Sequence, residues 1–354
     1  GTLQIGKKIV NEDQIKNNNC YGQVSDSVFT LFRVSDNQEI ATLTIGTDGL
    51  SNKINDLEEG SYYLRETIFP TGMAKEGSGQ NPNDANDKNY YPVTIEAGKD
   101  NTWYTKEENK ILNYWQNDPI AMWLGKIDLE TTEAMPQGSA SLENAEFTIK
   151  YYDRQIHSIE ELEENDALRT WIVSTNSNGF SMLDNNYLVS GDPFYTDSDN
   201  KNTIPLGTIS IQETKAPKGY LLEDKVHLRN ITSDGSKLEA VETYNMPIVP
   251  EPVIKGGIEL EKVDKELQEL EKKGAQGNAD LVGIKFAITN EGTKPVWFNN
   301  ESFDKGEVVT TIETVFEDGK YVARTKIDDL SYSSYGVQEV ETNGTYLLTD
   351  GIKR

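Results

Sequence analysis

Three glutamates in this chain end alternating, strand-like runs. They are Glu66 in Tyr62-Tyr-Leu-Arg-Glu66, Glu213 in Gly207-Thr-Ile-Ser-Ile-Gln-Glu213 and Glu339 in Tyr335-Gly-Val-Gln-Glu339. A two-residue period puts each carboxylate on the face of its apolar neighbours: Glu66 with Tyr62 and Leu64, Glu213 with Ile209 and Ile211, Glu339 with Tyr335 and Val337. Three lysines obey the same parity near the start of matching segments. Lys7 shares a face with Leu3 and Ile5, Lys126 with Met122 and Leu124, and Lys262 with Ile258 and Leu260. Buried charges of opposite sign are costly unless they meet, so each glutamate is expected to find a lysine.

Two asparagines extend the set. Asn113 follows Ile111 at strand parity, and Asn245 follows Val241 and Thr243. A buried Lys, Glu and Asn together allow one specific reaction. Burial lowers the amine pKa and raises the carboxyl pKa, so both can be neutral. The free amine can attack the Asn side-chain carbonyl while the Glu polarises it and carries protons. Ammonia leaves and an amide remains. Fixed contact between the groups supplies the rate.

These residues must be positioned by repeated units. Each unit has an opening (Leu3 to Lys7, Met122 to Asp128, Ile258 to Asp264) and a second landmark (Val28 to Leu31, Ala145 to Ile149, Ile284 to Ile288). Repeats of roughly 100 residues are domain-sized rather than solenoid units. Polar and Pro-containing stretches are expected as linkers: Gln116 to Pro119 after the first unit, Asn245 to Pro252 after the second. The second should be extended and stiff. This gives domains at 1–118, 119–250 and 251–354. Most segments read as short strands between Gly, Asn, Asp and Pro turns. Ser158 is expected to cap a helix through Ile159 to Leu162, and Asp264 one through Leu267 to Lys273. The fold class is all-β: tandem antiparallel sandwiches with small helical insertions.

A net charge of −25 over 354 residues argues against nucleic acid and against docking on anionic lipid. A 36% hydrophobic share is enough for packed cores. One cysteine, Cys20, excludes a disulfide within the chain, so secreted domains would need another staple. No apolar run is long enough for a transmembrane helix. The abrupt start at Gly1 reads as that of an excised fragment, with any anchoring signal outside it.

The chain resembles the Cna B-type (SpaA-like) domains of Gram-positive pilins and surface adhesins. The resemblance is carried by Lys126-Ile-Asp128 and Lys262-Val-Asp264, by the E-box around Glu213 to Tyr220, and by the terminal Asn. It spans essentially the whole chain. The first unit departs from it, with Ile9 in place of the Asp. The third has Glu339 and Tyr346 at the spacing of Glu213 and Tyr220 but no final strand and no terminal Asn. The resemblance implies Ig-like or prealbumin-like sandwiches and isopeptide bonds Lys7–Asn113, with Glu66, and Lys126–Asn245, with Glu213. Lys262 and Glu339 would stand uncrosslinked beside an edge open to another segment. It implies a mechanical stalk or pilin-like role on the cell surface, anchored to the cell wall. A single-turnover crosslinking would replace any turnover enzyme. Partners would be neighbouring pilus subunits or, in an adhesin, a host protein or glycan. A shaft pilin would carry a Lys in a Tyr-Pro-Lys type motif; Tyr90-Tyr-Pro92-Val has none.

The remaining candidates read as ordinary structure. A Cys20–Gln23 thioester lacks its surrounding motif. His157 and His227 lack partners at zinc-ligand spacing, and Asp192, Asp197 and Asp199 lack the alternation of a calcium loop. No cofactor is expected. Trp297 and Phe298 are the first place to look for a binding surface.

Overall fold

The computed structural model describes residues 1–163, 166–349 and 351, and of Met122 only the backbone. The last residues of the third repeat, Asp350 and 352–354, lie outside the described residues. The chain is all-β, as its alternation predicts: Tyr91–Ile95 and Ile111–Trp115 bury every second residue.

In the first repeat a four-stranded antiparallel sheet has the order Glu39–Thr44, Val28–Arg33, Gly60–Ile68, Tyr91–Ile95. Against it, Lys7–Ile9 pairs in parallel with Ile111–Trp115, which also pairs with Met73–Gly77. Leu3, Ile5, Phe29, Leu31, Leu64 and Ile111 pack between the layers. The second repeat has a five-stranded sheet, Leu188–Gly191, Arg169–Ser174, Glu146–Tyr152, Gly207–Lys215, Val226–Ile231. Opposite it, Met122–Asp128 lies between Phe180–Met182 and Ile248–Glu251, antiparallel to the first and parallel to the second. The third repeat has two three-stranded sheets, Val308–Glu313, Lys285–Asn290, Tyr335–Glu341 and Glu259–Lys262, Lys320–Arg324, Val315–Glu317, beside two-stranded pairings of Lys255–Gly256 with Leu330–Ser331 and of Val296–Phe298 with Glu301–Phe303.

Neither expected linker is a free connector. Gln116, Asn117 and Asp118 are buried, and Asn117–Asp118 pairs with Asn202–Pro205 of the second repeat. Their polar groups are met by protein partners: Asp118 Oδ2 accepts from the amides of Thr243 (2.9 Å) and Tyr244 (2.8 Å), and Gln116 Nε2 donates to Asp234 Oδ1 at 3.1 Å. Ile9, Ile15, Met73 and Trp115 share one core with Trp123 and Trp171, so the first two repeats are packed together. The second stretch contributes a strand, Ile248–Glu251. Pro250 fits there because the strand lies at a sheet edge, where a missing N–H costs no ladder bond.

The helical insertions are shorter than their patterns predict. Ser158 opens only a 3-10 turn, Ile159–Glu161, and Asp264 caps Lys265–Glu269 by accepting from the Leu267 amide at 3.0 Å. The second helix stops early, with Leu270 exposed and Glu271 at positive φ. The second and third repeats touch: the Gly138 amide donates to Pro295 O (2.9 Å), and Lys294 Nζ to Ala140 O (2.8 Å).

Candidate functional site

The three glutamates stand on one repeated pedestal. Glu66 pairs with Phe29, Glu213 with Phe147 and Glu339 with Phe286, each right beside a register shift in an antiparallel ladder. Such irregularities re-aim a side chain, and here they recur at the same place in all three repeats.

In the first repeat Lys7 and Asn113 lie on neighbouring parallel strands, with Lys7 opposite Ile111 and Asn113 two residues further on. Lys7, Glu66 and Asn113 are all buried. Lys7 Nζ donates to Glu66 Oε1, and Asn113 Nδ2 donates to the same oxygen at 3.3 Å. Glu66 Oε2 and Asn113 Oδ1 have no hydrogen-bond partner. Burial lowers the Lys7 amine to about 8, against the opposing pull of Glu66. Burial likewise raises the Glu66 carboxyl, with Lys7 and Asn113 working the other way. The floor is aromatic: Lys7 Nζ lies 4.9 Å from the Phe29 ring centre. Amine, amide and acid thus meet in a dry site.

The second repeat assembles differently. Lys126 is buried, donates to Glu213 Oε1 at 2.5 Å and lies 4.9 Å from the Phe147 ring centre. The expected partner Asn245 is not there. Asn245 is exposed, and its backbone carbonyl accepts from Arg229. The segment before it is held elsewhere: the Val241 amide donates to Asn117 O, and the Thr243 and Tyr244 amides to Asp118. The strand that reaches Lys126 is Ile248–Glu251, and it brings the buried Glu251 into contact with the amine. Sequence reading missed Glu251 because Pro250 and Pro252 mark its neighbourhood as linker. Its parity with Val249 was the available signal.

In the third repeat Lys262 donates to Glu339 Oε2 at 2.6 Å and to Thr349 Oγ1 at 3.4 Å. The Lys262 side chain is 16% exposed, whereas those of Lys7 and Lys126 are sealed. Among the described residues, Glu259–Lys262 pairs only with Lys320–Arg324. Its other side borders a groove of about 480 Å³ lined by Leu260, Lys262, Phe286, Val337 and Glu339.

The Asp of Lys-x-Asp forms a latch that the spacing did not reveal. Asp128 Oδ2 accepts from Tyr220 Oη at 2.7 Å, and Gln137 Nε2 donates to both of its oxygens. Asp264 repeats this with Tyr346 (2.8 Å) and Gln276 (3.1 Å). The latch ties the end of the first strand to the loop beyond the glutamate strand. Ile9, which replaces this Asp in the first repeat, packs instead into the core shared with the second.

The other candidates are engaged structurally. Cys20 Sγ donates to Asp153 O at 3.2 Å, and burial raises the thiol to about 11. Gln23 opens the Val24–Asp26 turn. Asp192 and Asp197 accept backbone amides of Thr170, Asp199 and Lys201. Among the described residues no three His, Cys, Asp or Glu side chains converge as metal ligands, and no helix is long and apolar enough to cross a membrane. Trp297 and Phe298 are half-buried, and the Trp297 amide donates to Gln137 Oε1 at 3.0 Å, a contact between repeats.

The fold has a counterpart among solved structures. The Bacillus anthracis TIE protein superposes at a TM-score of 0.53 with 18% identity, over 99% of this chain and 47% of that one. This chain therefore spans about half the length of that protein. BcpA, the major pilin subunit of Bacillus cereus, matches at 16% identity over all of this chain and 94% of that one, with a TM-score of 0.31. A streptococcal ancillary pilin matches at 12% identity over 99% of this chain and 93% of that one, with a TM-score of 0.28. No curated protein matches by sequence. The model of the SpaA prealbumin-like fold domain matches residues 14–108 and again 126–245, more than half of the chain. With two such matches laid over the first two sandwiches, the chain belongs to the SpaA prealbumin-like domain family.

Proposed function

We propose that the chain is a force-bearing stalk segment of a Gram-positive cell-surface protein, hardened by an amide between Lys7 and Asn113. In this reading residues 1–118, 119–250 and 251–354 are three domains, neighbouring pilus subunits are the natural partners, and catalysis is limited to one turnover on the chain itself. The observation that carries it is that Lys7 Nζ and Asn113 Nδ2 both donate to one buried oxygen of Glu66.

The chemistry follows from that placement. The neutral Lys7 amine attacks Asn113 Cγ. Glu66, as the neutral acid, protonates the departing amide nitrogen and takes a proton from the attacking one. The C–N bond of the Asn side chain breaks, ammonia leaves and Glu66 is unchanged. Lys7–Ile9 and Ile111–Trp115 are adjacent parallel strands at opposite ends of the repeat, so tension would pass through the amide rather than shear the ladder. The bond also closes a loop of roughly 100 residues, worth about 4–5 kcal/mol in the chain-entropy model.

Mass spectrometry of the tryptic digest tests this. A branched peptide joining Lys7 to Asn113, lighter than its linear components by one ammonia, is the expected result. Linear peptides of unaltered mass would refute the reading.

A further inference from the structure

We propose that Lys126 and Glu251 close a second intramolecular amide, with Glu251 as the acyl group, Glu213 as the proton carrier and water as the leaving group. This rests on the amide chemistry proposed for Lys7 and Asn113, but at a different site and with a carboxylic acid in place of a carboxamide.

Register carries the inference. Lys7 stands opposite Ile111, and Asn113 lies two residues further along the parallel strand. Lys126 stands opposite Val249, and Glu251 lies two residues further along its parallel strand. Glu251 therefore holds, against Lys126, the place that Asn113 holds against Lys7. It is completely buried and touches Lys126 Nζ, yet neither of its oxygens has a hydrogen-bond partner. An ionised carboxylate in a dry site needs donors, and this one has none beyond that contact.

The two carboxyl groups around Lys126 have different environments. Glu213 is anchored: Oε1 accepts from Lys126 and Oε2 from the Glu223 amide at 2.8 Å. Glu251 is raised to about 7, chiefly by burial, opposed by Lys126 and reinforced by the charge of Glu213. Glu251, raised by burial, is thus a carboxyl group that can be held as the acid an amine attacks, and Glu213, anchored by the Glu223 amide beside the same nitrogen, is placed to move protons.

The step balances. Lys126 gives a proton to Glu213, and the resulting amine attacks Glu251 Cδ. The C–OH bond breaks as Glu213 protonates the departing hydroxyl, and Glu213 recovers a proton from the new amide nitrogen. One C–N bond forms, one C–O bond breaks and one water leaves. In bulk water this equilibrium opposes amide formation. Here the groups are held in contact and the water is expelled from a sealed core.

The test uses the whole chain and its Glu251→Gln variant. The variant's glutamine would lose ammonia where Glu251 loses water, so the two proteins should mature to the same mass at this site. Lys126 should appear in a branched peptide whose fragmentation places the bond at Glu251. The peptide Leu238 to Lys255 carries both Asn245 and Glu251, so fragmentation decides between them. A bond at Asn245, linear peptides in the wild type, or a bond only in the Glu251→Gln variant would each overturn the proposal. The Lys7–Asn113 branch is read separately in the same digest, so either bond can fail without the other.

Discussion

Glu66 pairs with Phe29 across adjacent strands, and the Lys7 nitrogen lies 4.9 Å from that phenyl ring. The aromatic floor excludes water beneath the ion pair while its π face still favours a cation. The second repeat builds the same stack from Glu213, Phe147 and Lys126. The glutamate and its aromatic floor therefore come from one sheet, and the lysine reaches them from the opening strand in another.

Removing the proton carrier should separate chemistry from folding. Glu66→Ala is expected to restore one ammonia mass to the intact protein and to lower its melting temperature. The loss of loop closure alone corresponds to about 4–5 kcal/mol. Asn113→Ala should restore the linear connection while keeping the ion pair, and so should fall less far. Full crosslinking in Glu66→Ala would remove Glu66 from its assigned role.

The uncrosslinked Asn113→Ala protein should show a pH dependence set by Lys7. Its amine is lowered by burial from 10.5 to about 8. Between those values the unfolded chain holds a proton that the folded chain does not, so stability should rise with pH from about 8 to 10.5. Glu66, raised by burial, acts in the opposite sense: its contribution is present below 4.5 and is lost as pH rises through its folded value. Chemical denaturation at several pH values reads both. A Lys7→Met/Asn113→Ala protein should lack the alkaline rise.

The latch in the second repeat can be cut by one atom. Tyr220→Phe removes the hydroxyl that donates to Asp128 and leaves a buried carboxylate short of a donor. A loss of about 1–3 kcal/mol is expected, measured by calorimetry. An unchanged stability would mean that Gln137 and the amides of Glu130 and Thr131 suffice.

Giving the first repeat the Asp of its siblings should harm it. Ile9 packs in the core shared with Trp115 and Trp123. Ile9→Asp would bury a carboxylate with no tyrosine latch to meet it, costing about 3 kcal/mol or more. The readout is a denaturation midpoint well below wild type.

Acylation with an amine-reactive ester should tell the three lysines apart. Lys262 is partly open, whereas Lys7 and Lys126 are sealed. Lys262 should label in the native protein. Lys7 should stay unlabelled even after denaturation, because its nitrogen would already be acylated. Labelling of denatured Lys7 would contradict the crosslink.

The sequence determined a great deal by parity alone. Alternation placed Lys7, Lys126 and Lys262 on the inner faces of opening strands and Glu66, Glu213 and Glu339 on those of late strands, and all three pairs meet. It also brought Asn113 to Lys7. Side-chain period is local, so a strand carries its own facing wherever it docks. Parity cannot say which of two candidate strands docks, because that depends on competition for partners far away in the chain. Asn117 and Asp118 hold the segment before Asn245, and only the later residues Ile248 to Glu251 reach the free edge beside Lys126. The same long-range pairing turned two apparent linkers into paired strands. Facing was written in the sequence; the choice of last strand, and with it Glu251 in place of Asn245, was settled by tertiary packing.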